Sequence, residues 1–373
     1  MREGWVYKKL GDVASFINGY AFKPEQWSTS GTPIVRIQNL NNPDAPFNYY
    51  NGKVPDKVKI KDGDLLISWS ASLGAYIWQG GDAFLNQHIF KVEFDKLDID
   101  KMFLKYAVVS KLNTMAELVH GATMKHIVKK DFDNTRIPYP SKKEQQSIVS
   151  ELDKINELIS LKKSQLENLD SLAQSIFYDM FGDPVENEKG WEVKKLEEIG
   201  TIVTGSTPST NEESNWNGDI NWVTPAELEE QLFYGETKRK LSHKGAKGLT
   251  MMPIGTVLLS SRAPIGKLAI TTIPMCCNQG FKNIICNDKL NNIYLYYYLK
   301  LTIDLIISLG RGATFKEVSK KVISSYKVPL PPLSLQQTFA KRIEVIEQQK
   351  QQINKTIKDL ETLLASRMQY WFD

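Results

Sequence analysis

Cysteine is scarce in this chain. Three occur in 373 residues, Cys276, Cys277 and Cys286. The number is odd and the spacing does not suit a metal site, which excludes a disulfide framework and a cysteine-based zinc site. Reduced thiols in a cytosolic protein are the expectation. The four histidines, His88, His120, His126 and His243, do not cluster with cysteine or acidic residues at ligand spacing, so no metal is expected. No apolar run approaches the ~18 residues of a membrane-spanning helix. The start, Met1-Arg-Glu-Gly-Trp5, lacks the apolar centre of a signal peptide. Charge of one sign is also lacking. Net charge is +4 and mean hydropathy −0.33, a balance that permits nucleic-acid binding without demonstrating it.

Catalytic motifs are missing too. Arg262-Ala-Pro-Ile-Gly-Lys-Leu268 has Gly-Lys but neither the earlier Gly nor the following Ser/Thr of a phosphate loop, and reads as a turn between strands. The [DN]-P-P-[YF] signature of amino-methylating enzymes does not occur. Glu192-Val-Lys194 lacks the upstream Asp that would make it part of a nuclease site. No Ser/His/Asp pattern is apparent. The expectation is a non-catalytic protein without a cofactor of its own.

What the chain does have is an internal repeat. Trp5-Val-Tyr-Lys-Lys-Leu-Gly-Asp-Val13 returns as Trp191-Glu-Val-Lys-Lys-Leu-Glu-Glu-Ile199. Residues 33–40 correspond to 221–228, and 62–74 to 254–266. Asn86-Gln87 match Asn278-Gln279, and Gly121-Ala-Thr-Met-Lys125 matches Gly312-Ala-Thr-Phe-Lys316. Each half opens with a mixed α/β part. Residues 33–40, 64–69, 75–78 and 90–94 read as strands, as do 220–223, 256–260 and 267–271. Helices are expected at 101–118 and 292–309.

Each half closes with a long helix free of Pro and Gly. Ile148, Leu152, Ile155, Ile159, Lys162, Leu166, Leu169, Ala173, Ile176 and Met180 form a heptad seam. Its copy, 191 residues on, reads Phe339, Ile343, Ile346, Lys350, Ile353, Ile357, Leu360, Leu364, Arg367 and Trp371. Ser141 with Glu144 and Ser334 with Gln337 fit a capping box. About 38 residues make a rod of roughly 57 Å. Such a helix must bury its seam; the other copy is the nearest equal partner, and its own domain or a second chain is the alternative. An antiparallel pair would bring Lys162 and Lys350 near its centre, where they either fix the register or snorkel to solvent.

Several residues suit a nucleic-acid contact. The loop 237–247 gathers Lys238, Arg239, Lys240, Lys244 and Lys247, apt for phosphates and equally fit for a solvated loop. Arg262 stands at a strand end where it can be aimed at a guanine edge. Arg36 and Gln38 are base-reading types whose counterparts are Thr224 and Ala226, a divergence that fits two domains with different targets or neutral drift. Trp69, Ser70, Gln87, His88 and Gln279 flank the same strand ends. Lys125, Arg311 and Lys316 sit on small-residue turns whose amides could hold a phosphate, although a plain turn accounts for them equally.

The repeated order of Trp-x-x-x-x-Leu, a Trp-Val-Thr-Pro-type strand, Ser-x-Arg-Ala-Pro-Ile-Gly, Asn-Gln, Gly-Ala-Thr and a Pro-Leu-Pro-Pro start to a long helix resembles the specificity subunit of type I restriction-modification systems. The resemblance implies an α+β (mixed α/β) fold with two duplicated target-recognition domains, 1–141 and 183–332. It implies two helical regions, 142–182 and 333–373, forming an antiparallel coiled-coil spacer with pseudo-twofold symmetry. It also implies a cytoplasmic subunit that catalyses nothing and reads a split, asymmetric duplex DNA target. The subunit would dock two modification subunits that use S-adenosylmethionine, and two ATP-dependent translocating restriction subunits would join them. A scaffold whose domains bind protein rather than DNA is the alternative.

Overall fold

Two short ribbons of matching register mark where each half of the chain closes on itself. The computed structural model describes residues 5–42, 44–118, 127–229, 231–262, 264–310 and 317–373. In the first half, Val6–Lys9 pairs antiparallel with Arg136–Tyr139, Val6 opposite Tyr139. In the second, Glu192–Lys195 pairs with Lys327–Leu330, Glu192 opposite Leu330. Each ribbon delivers the chain to a long helix, Lys142–Phe181 and Leu333–Phe372, of 40 residues each. The chain divides into two units. Unit 1 is residues 1–162 with 356–373, and unit 2 is 163–355.

Unit 1 contains an antiparallel sheet in the order Ser15–Asn18, Ile89–Glu93, Leu65–Ser68, Gly74–Ile77. A second sheet runs Asn48–Tyr50, Thr32–Val35, Ala83–Leu85, Lys59–Ile60, with Thr32–Val35 parallel to Ala83–Leu85. Unit 2 repeats this order. Its larger sheet is Gly200–Val203, Asn283–Cys286, Val257–Leu259, Leu268–Thr271, with Phe233–Tyr234 added at the edge. Its smaller sheet is Arg239–Leu241, Trp216–Val223, Cys276–Cys277, the last pair parallel. Both parallel pairs need a bare backbone beside them. A Cβ on Gly19 would lie 2.0 Å from the Asn86 carbonyl oxygen, and one on Gly205 would lie 1.8 Å from that of Cys277. No side chain fits either gap.

The long helices complete the cores. In unit 1, Ile148, Leu152 and Phe372 join Leu10, Phe16, Leu65, Phe90 and Phe103, and Phe103 meets Phe372 at 5.3 Å between ring centroids. In unit 2, Phe177 and Phe181 pack on Tyr294 and Phe339 at 4.8–5.7 Å. The helix segments run antiparallel within each unit. Glu151 meets Arg367 in unit 1. Asp170 meets Lys350 in unit 2, where Met180 also faces Arg342.

Equivalent buried glutamines seat the helix starts. Gln145 Nε2 donates to the Pro140 carbonyl at 2.9 Å and its Oε1 accepts from Asp100 N at 2.8 Å. Gln336 does the same with Pro331 and Asn291, both at 2.8 Å. Each glutamine thus ties its long helix to the start of the core helix, Lys101–Leu118 or Asn292–Leu301.

Several expectations are corrected. Ser141 and Glu144 form the capping box, with Ser141 N and Oγ donating to Glu144 Oε2 at 3.0 and 2.7 Å. Ser334 and Gln337 do not. The second helix already starts at Leu333, and the place of Ser141 is taken by Pro332, whose carbonyl accepts from Leu335 N at 2.9 Å. The strand expected at 33–40 stops at Val35, and Ile37–Asn41 is a short helix. Asn39 causes the change, because its Oδ1 accepts from Arg36 N at 3.1 Å and bends the chain inward. The helix at 292–309 breaks at Thr302 into Asn292–Leu301 and Ile303–Ser308.

Of the seam, Ile148, Leu152, Ile155, Ile159, Ala173, Phe339, Ile343, Ile346 and Ile357 are buried. Lys162, Leu166, Ile353 and Leu360 are half-buried. At the end of the first helix the buried positions are Phe177 and Phe181, while Ile176 and Met180 are half-buried. A straight helix drifts by ~20° per heptad from a strict seven-residue repeat. Lys350 does not snorkel. Burial pulls its pKa down, but hydrogen bonds to Asp170 at 2.8 Å and Glu347 at 2.9 Å, with their charges, outweigh that and raise it.

The Glu151 carboxylate takes both arms of Arg367 and the Trp371 Nε1–H, the last at 3.1 Å. The hydrogen bond from Arg367 holds its carboxyl below the ordinary 4.5. A depressed carboxyl stabilises the fold fully above that value and loses the contribution as pH falls through the folded value. Glu151→Gln should therefore lower the unfolding free energy at pH 7 by roughly 0.5–1 kcal/mol, as for a part-exposed ion pair. Denaturant titrations of the full chain should show the difference from wild type shrinking as pH is lowered towards ~3.

Candidate nucleic-acid interface

In unit 2 the antiparallel ladder of the smaller sheet presents a cation on an aromatic bed. Arg239 pairs with Trp222 in register, and its guanidinium lies 3.7 Å from the Trp216 ring centroid and 5.3 Å from that of Trp222. The two indoles meet edge-to-face at 5.1 Å. A cation held flat on an indole loses little attraction and much freedom. A register shift between Trp216 and Ile220 loops out the intervening residues, and Asn217 adopts a left-handed φ of 61°. This bulge opens a cavity of about 460 Å³, whose lining includes Trp216, Lys238, Arg239, Lys240 and Glu213.

Glu227 fixes the start of the basic strand. It accepts from Thr224 N at 2.9 Å, from Tyr234 Oη at 3.2 Å and from Lys238 N at 2.7 Å. Lys238, Arg239 and Lys240 are exposed together, as are Lys244 and Lys247 on the turn that follows. Lys244 reaches back to Ser214 Oγ at 2.9 Å and Glu212 at 3.5 Å.

Unit 1 places a cation on the same ladder by a different route. Ile34 of the strand Thr32–Val35 pairs with Asn48, as Trp222 pairs with Arg239 in unit 2. Arg36 arrives from the far end of its own strand. Its Nη1 donates to Asn48 Oδ1 at 3.0 Å, and its guanidinium lies 5.0 Å from the Trp27 ring centroid. The arginines come from different strands and meet the same ladder.

The remaining residues singled out from sequence divide clearly. Gln38 is exposed on the short helix, 3.4 Å from the Pro46 carbonyl. Gln87 and Gln279 are exposed. Their neighbours Asn86 and Asn278 donate backbone N–H groups to Val35 and Val223 at 3.0 and 3.1 Å, so both turns sit at the mouth of a parallel strand pair. Gln279 Oε1 accepts from Thr207 at 2.7 Å. Arg262 is half-exposed and ion-paired with Glu317 at 3.0 Å.

Trp69 stacks on Phe90 at 5.6 Å and meets the His88 ring at 5.1 Å, as part of the unit 1 core margin. His88 has φ 74° in the turn. Ser70 is 4% exposed and offers no surface to a duplex. Lys125, Arg311 and Lys316 lie outside the described residues. Among the described residues, no group of three His, Cys, Asp or Glu side chains could hold a metal ion, and no helix is long and apolar enough to cross a membrane. Sequence reasoning missed Trp27, Asn48, Trp216 and Glu227, because bulges and loop returns leave no periodic trace.

The family model for the type I restriction modification DNA specificity domain matches residues 2–170 and 188–362. The chain belongs to this family, and with it to the non-catalytic DNA-recognition subunits of type I restriction-modification systems. It is 26% identical to a putative type I restriction enzyme MjaX specificity subunit of Methanocaldococcus jannaschii over 98% of this chain and 93% of that one. The MjaIX specificity subunit of the same organism is 35% identical over 49% of this chain, and the match spans 44% of that protein.

Two solved chains share the fold. One, from a type I restriction-modification system, has a TM-score of 0.63 at 19% identity, covering 99% of this chain and 97% of that one. The other is the specificity subunit from M. genitalium, with a TM-score of 0.56 at 16% identity, covering 100% and 98%.

Trp216→Ala should leave Arg239 charged but unsupported. Anisotropy titration of the full chain on duplex DNA should show a roughly three- to fivefold weaker affinity, as expected for losing a cation–π contact of about 1 kcal/mol. The salt slope should be unchanged, because no charge is lost. Trp216→Phe should recover part of the affinity.

Proposed function

We propose that the two units each read one half of an asymmetric, bipartite duplex target, and that the long helices set the gap between the halves. The observation that carries this is the arginine in each unit's smaller sheet. Arg239 lies on Trp216 and Trp222, and Arg36 lies on Trp27 beside Asn48. Equivalent ladders presenting the same reading group from different strands suit two related surfaces that meet different bases. Lys238, Lys240, Lys244 and Lys247 would meet phosphates around the second half-target.

Each long helix begins in one unit and ends in the other. An unbroken helix of 40 residues is stiff enough to hold a fixed spacing, and like modules on one face of a duplex lie about one helical turn apart. The helices also carry exposed Leu158, Leu161 and Tyr370 in unit 1, and Leu172, Tyr178 and Val345 in unit 2. These apolar faces support docking of two adenine-methylating modification subunits, which would bring S-adenosylmethionine, with two restriction subunits completing a nuclease. The modest net charge of +4 fits a subunit that shares its phosphate contacts with such partners.

Insertion of seven residues into each long helix should change the gap in the selected target or abolish specific binding, with each half-sequence retained. Selection from a random duplex library by the full chain reads both. An unchanged gap removes the spacer role. Affinity for the selected duplex should fall steeply between about 50 and 200 mM salt. Capture of a protein partner that is insensitive to salt, without DNA binding, would favour the scaffold.

A further inference from the structure

A charged cluster lies where the larger sheet of unit 2 ends. Lys282 is 6% exposed. Its Nζ donates to Ser261 Oγ at 3.1 Å and lies 3.5 Å from Glu317 Oε1. The other carboxylate oxygen, Oε2, lies 3.0 Å from Arg262 Nε. Backbone contacts fix the segments that carry Ser261, Arg262 and Glu317. Arg262 and Glu317 form an antiparallel bridge. Val318 N donates to the Ser261 carbonyl at 2.9 Å, and Ser261 N donates to that of Gly280 at 2.8 Å. Glu317 is thus held between a buried ammonium and a half-exposed guanidinium.

The fold itself does not demand this charge. The repeat matches Lys282 with Phe90, because Asn278-Gln279 match Asn86-Gln87. In unit 1 the same place is filled by the Phe90–Trp69 stack. A buried ammonium is costly where an apolar ring would serve. Burial pulls the Lys282 pKa down, and the Glu317 charge opposes that. What the cluster does accomplish is to hold Arg262. With Nε engaged by Glu317, the guanidinium presents its Nη1/Nη2 edge, which carries the two parallel donors that a guanine N7 and O6 accept. Gln279, a further exposed base-reading type, lies next to Gly280 at the same strand end.

We propose that Glu317 and Lys282 are positioning residues that aim Arg262 at one base pair of the half-target met by unit 2. The proposal rests on the DNA-reading assignment of that unit. Glu317 orients the guanidinium, and Lys282 holds the carboxylate in place. Among the described residues, unit 1 carries the Phe90–Trp69 stack where unit 2 carries Lys282 and Ser261, so the two half-targets are read by different means at equivalent strand ends.

The test is selection by the full-length chain from a random duplex library at fixed salt, scored position by position for wild type, Arg262→Ala, Glu317→Gln, Lys282→Met and the double variant Arg262→Ala/Glu317→Gln. The expected result is a loss of preference of roughly tenfold at one position of one half-target in all variants. The double variant should lose no more than Arg262→Ala alone, and the other half-target should be unchanged. A merely structural role would instead lower the denaturation midpoint and weaken every sequence alike.

Unchanged profiles for Glu317→Gln and Lys282→Met overturn the positioning role. An unchanged profile for Arg262→Ala, with a two-part motif still selected, overturns it while leaving the DNA-reading assignment intact. Failure of the wild-type chain to select any motif overturns that assignment, and the inference with it.

Discussion

A helix of 40 residues with one apolar face cannot stand alone in water, and the rest of this molecule follows from that constraint. Neither long helix finds its cover within its own half of the repeat alone. In unit 1 the first turns of the helix Lys142–Phe181 are met by the last turns of Leu333–Phe372. In unit 2 the relation is reversed, and Phe177 and Phe181 close over Phe339. The duplicated domains are therefore not self-sufficient copies. Each borrows apolar surface from the other half of the chain.

The charges that lock these crossings differ, although the helices are copies. Glu151 and Arg367 serve unit 1; Asp170, Glu347 and Lys350 serve unit 2. By the offset of 191, Glu151 corresponds to Arg342 and Lys350 to Ile159. Apolar burial supplies attraction without direction, and charges at non-equivalent places supply register. The shared features are the ones that face inward. The buried glutamines Gln145 and Gln336 make the same bonds in both units, because the junction of helix start and core helix is the same junction twice.

Much of this was legible in the sequence. The repeat and the two helices declare themselves through periodicity and through the absence of Pro and Gly, and these are local signals. Residues 101–118 and most strands were found for the same reason. The second helix cap was not, because Ser334 and Gln337 satisfy a pattern while Pro332 occupies the position that matters. The surroundings of the arginines were half legible. Arg36, Arg239 and Arg262 stand out by residue type, but what they rest on or pair with is distant in sequence: Trp27 and Asn48, Trp216, and Glu317. Ser70 shows the converse, a polar residue at a strand end that tertiary packing hides. The burial of Lys282 has no local signature at all.

The order in which the units close along the chain has a bearing on synthesis. Unit 1 contains residues 1–162 and 356–373, and Phe372 is 1% exposed within its core. A ribosome therefore makes nearly all of the first unit, then the whole of the second, before the residue that fills the first core emerges. The earlier-made unit is the later to be completed. During translation, Phe103 and its neighbours wait for a ring made only after the whole of unit 2, and unit 2 can assemble while unit 1 is still open.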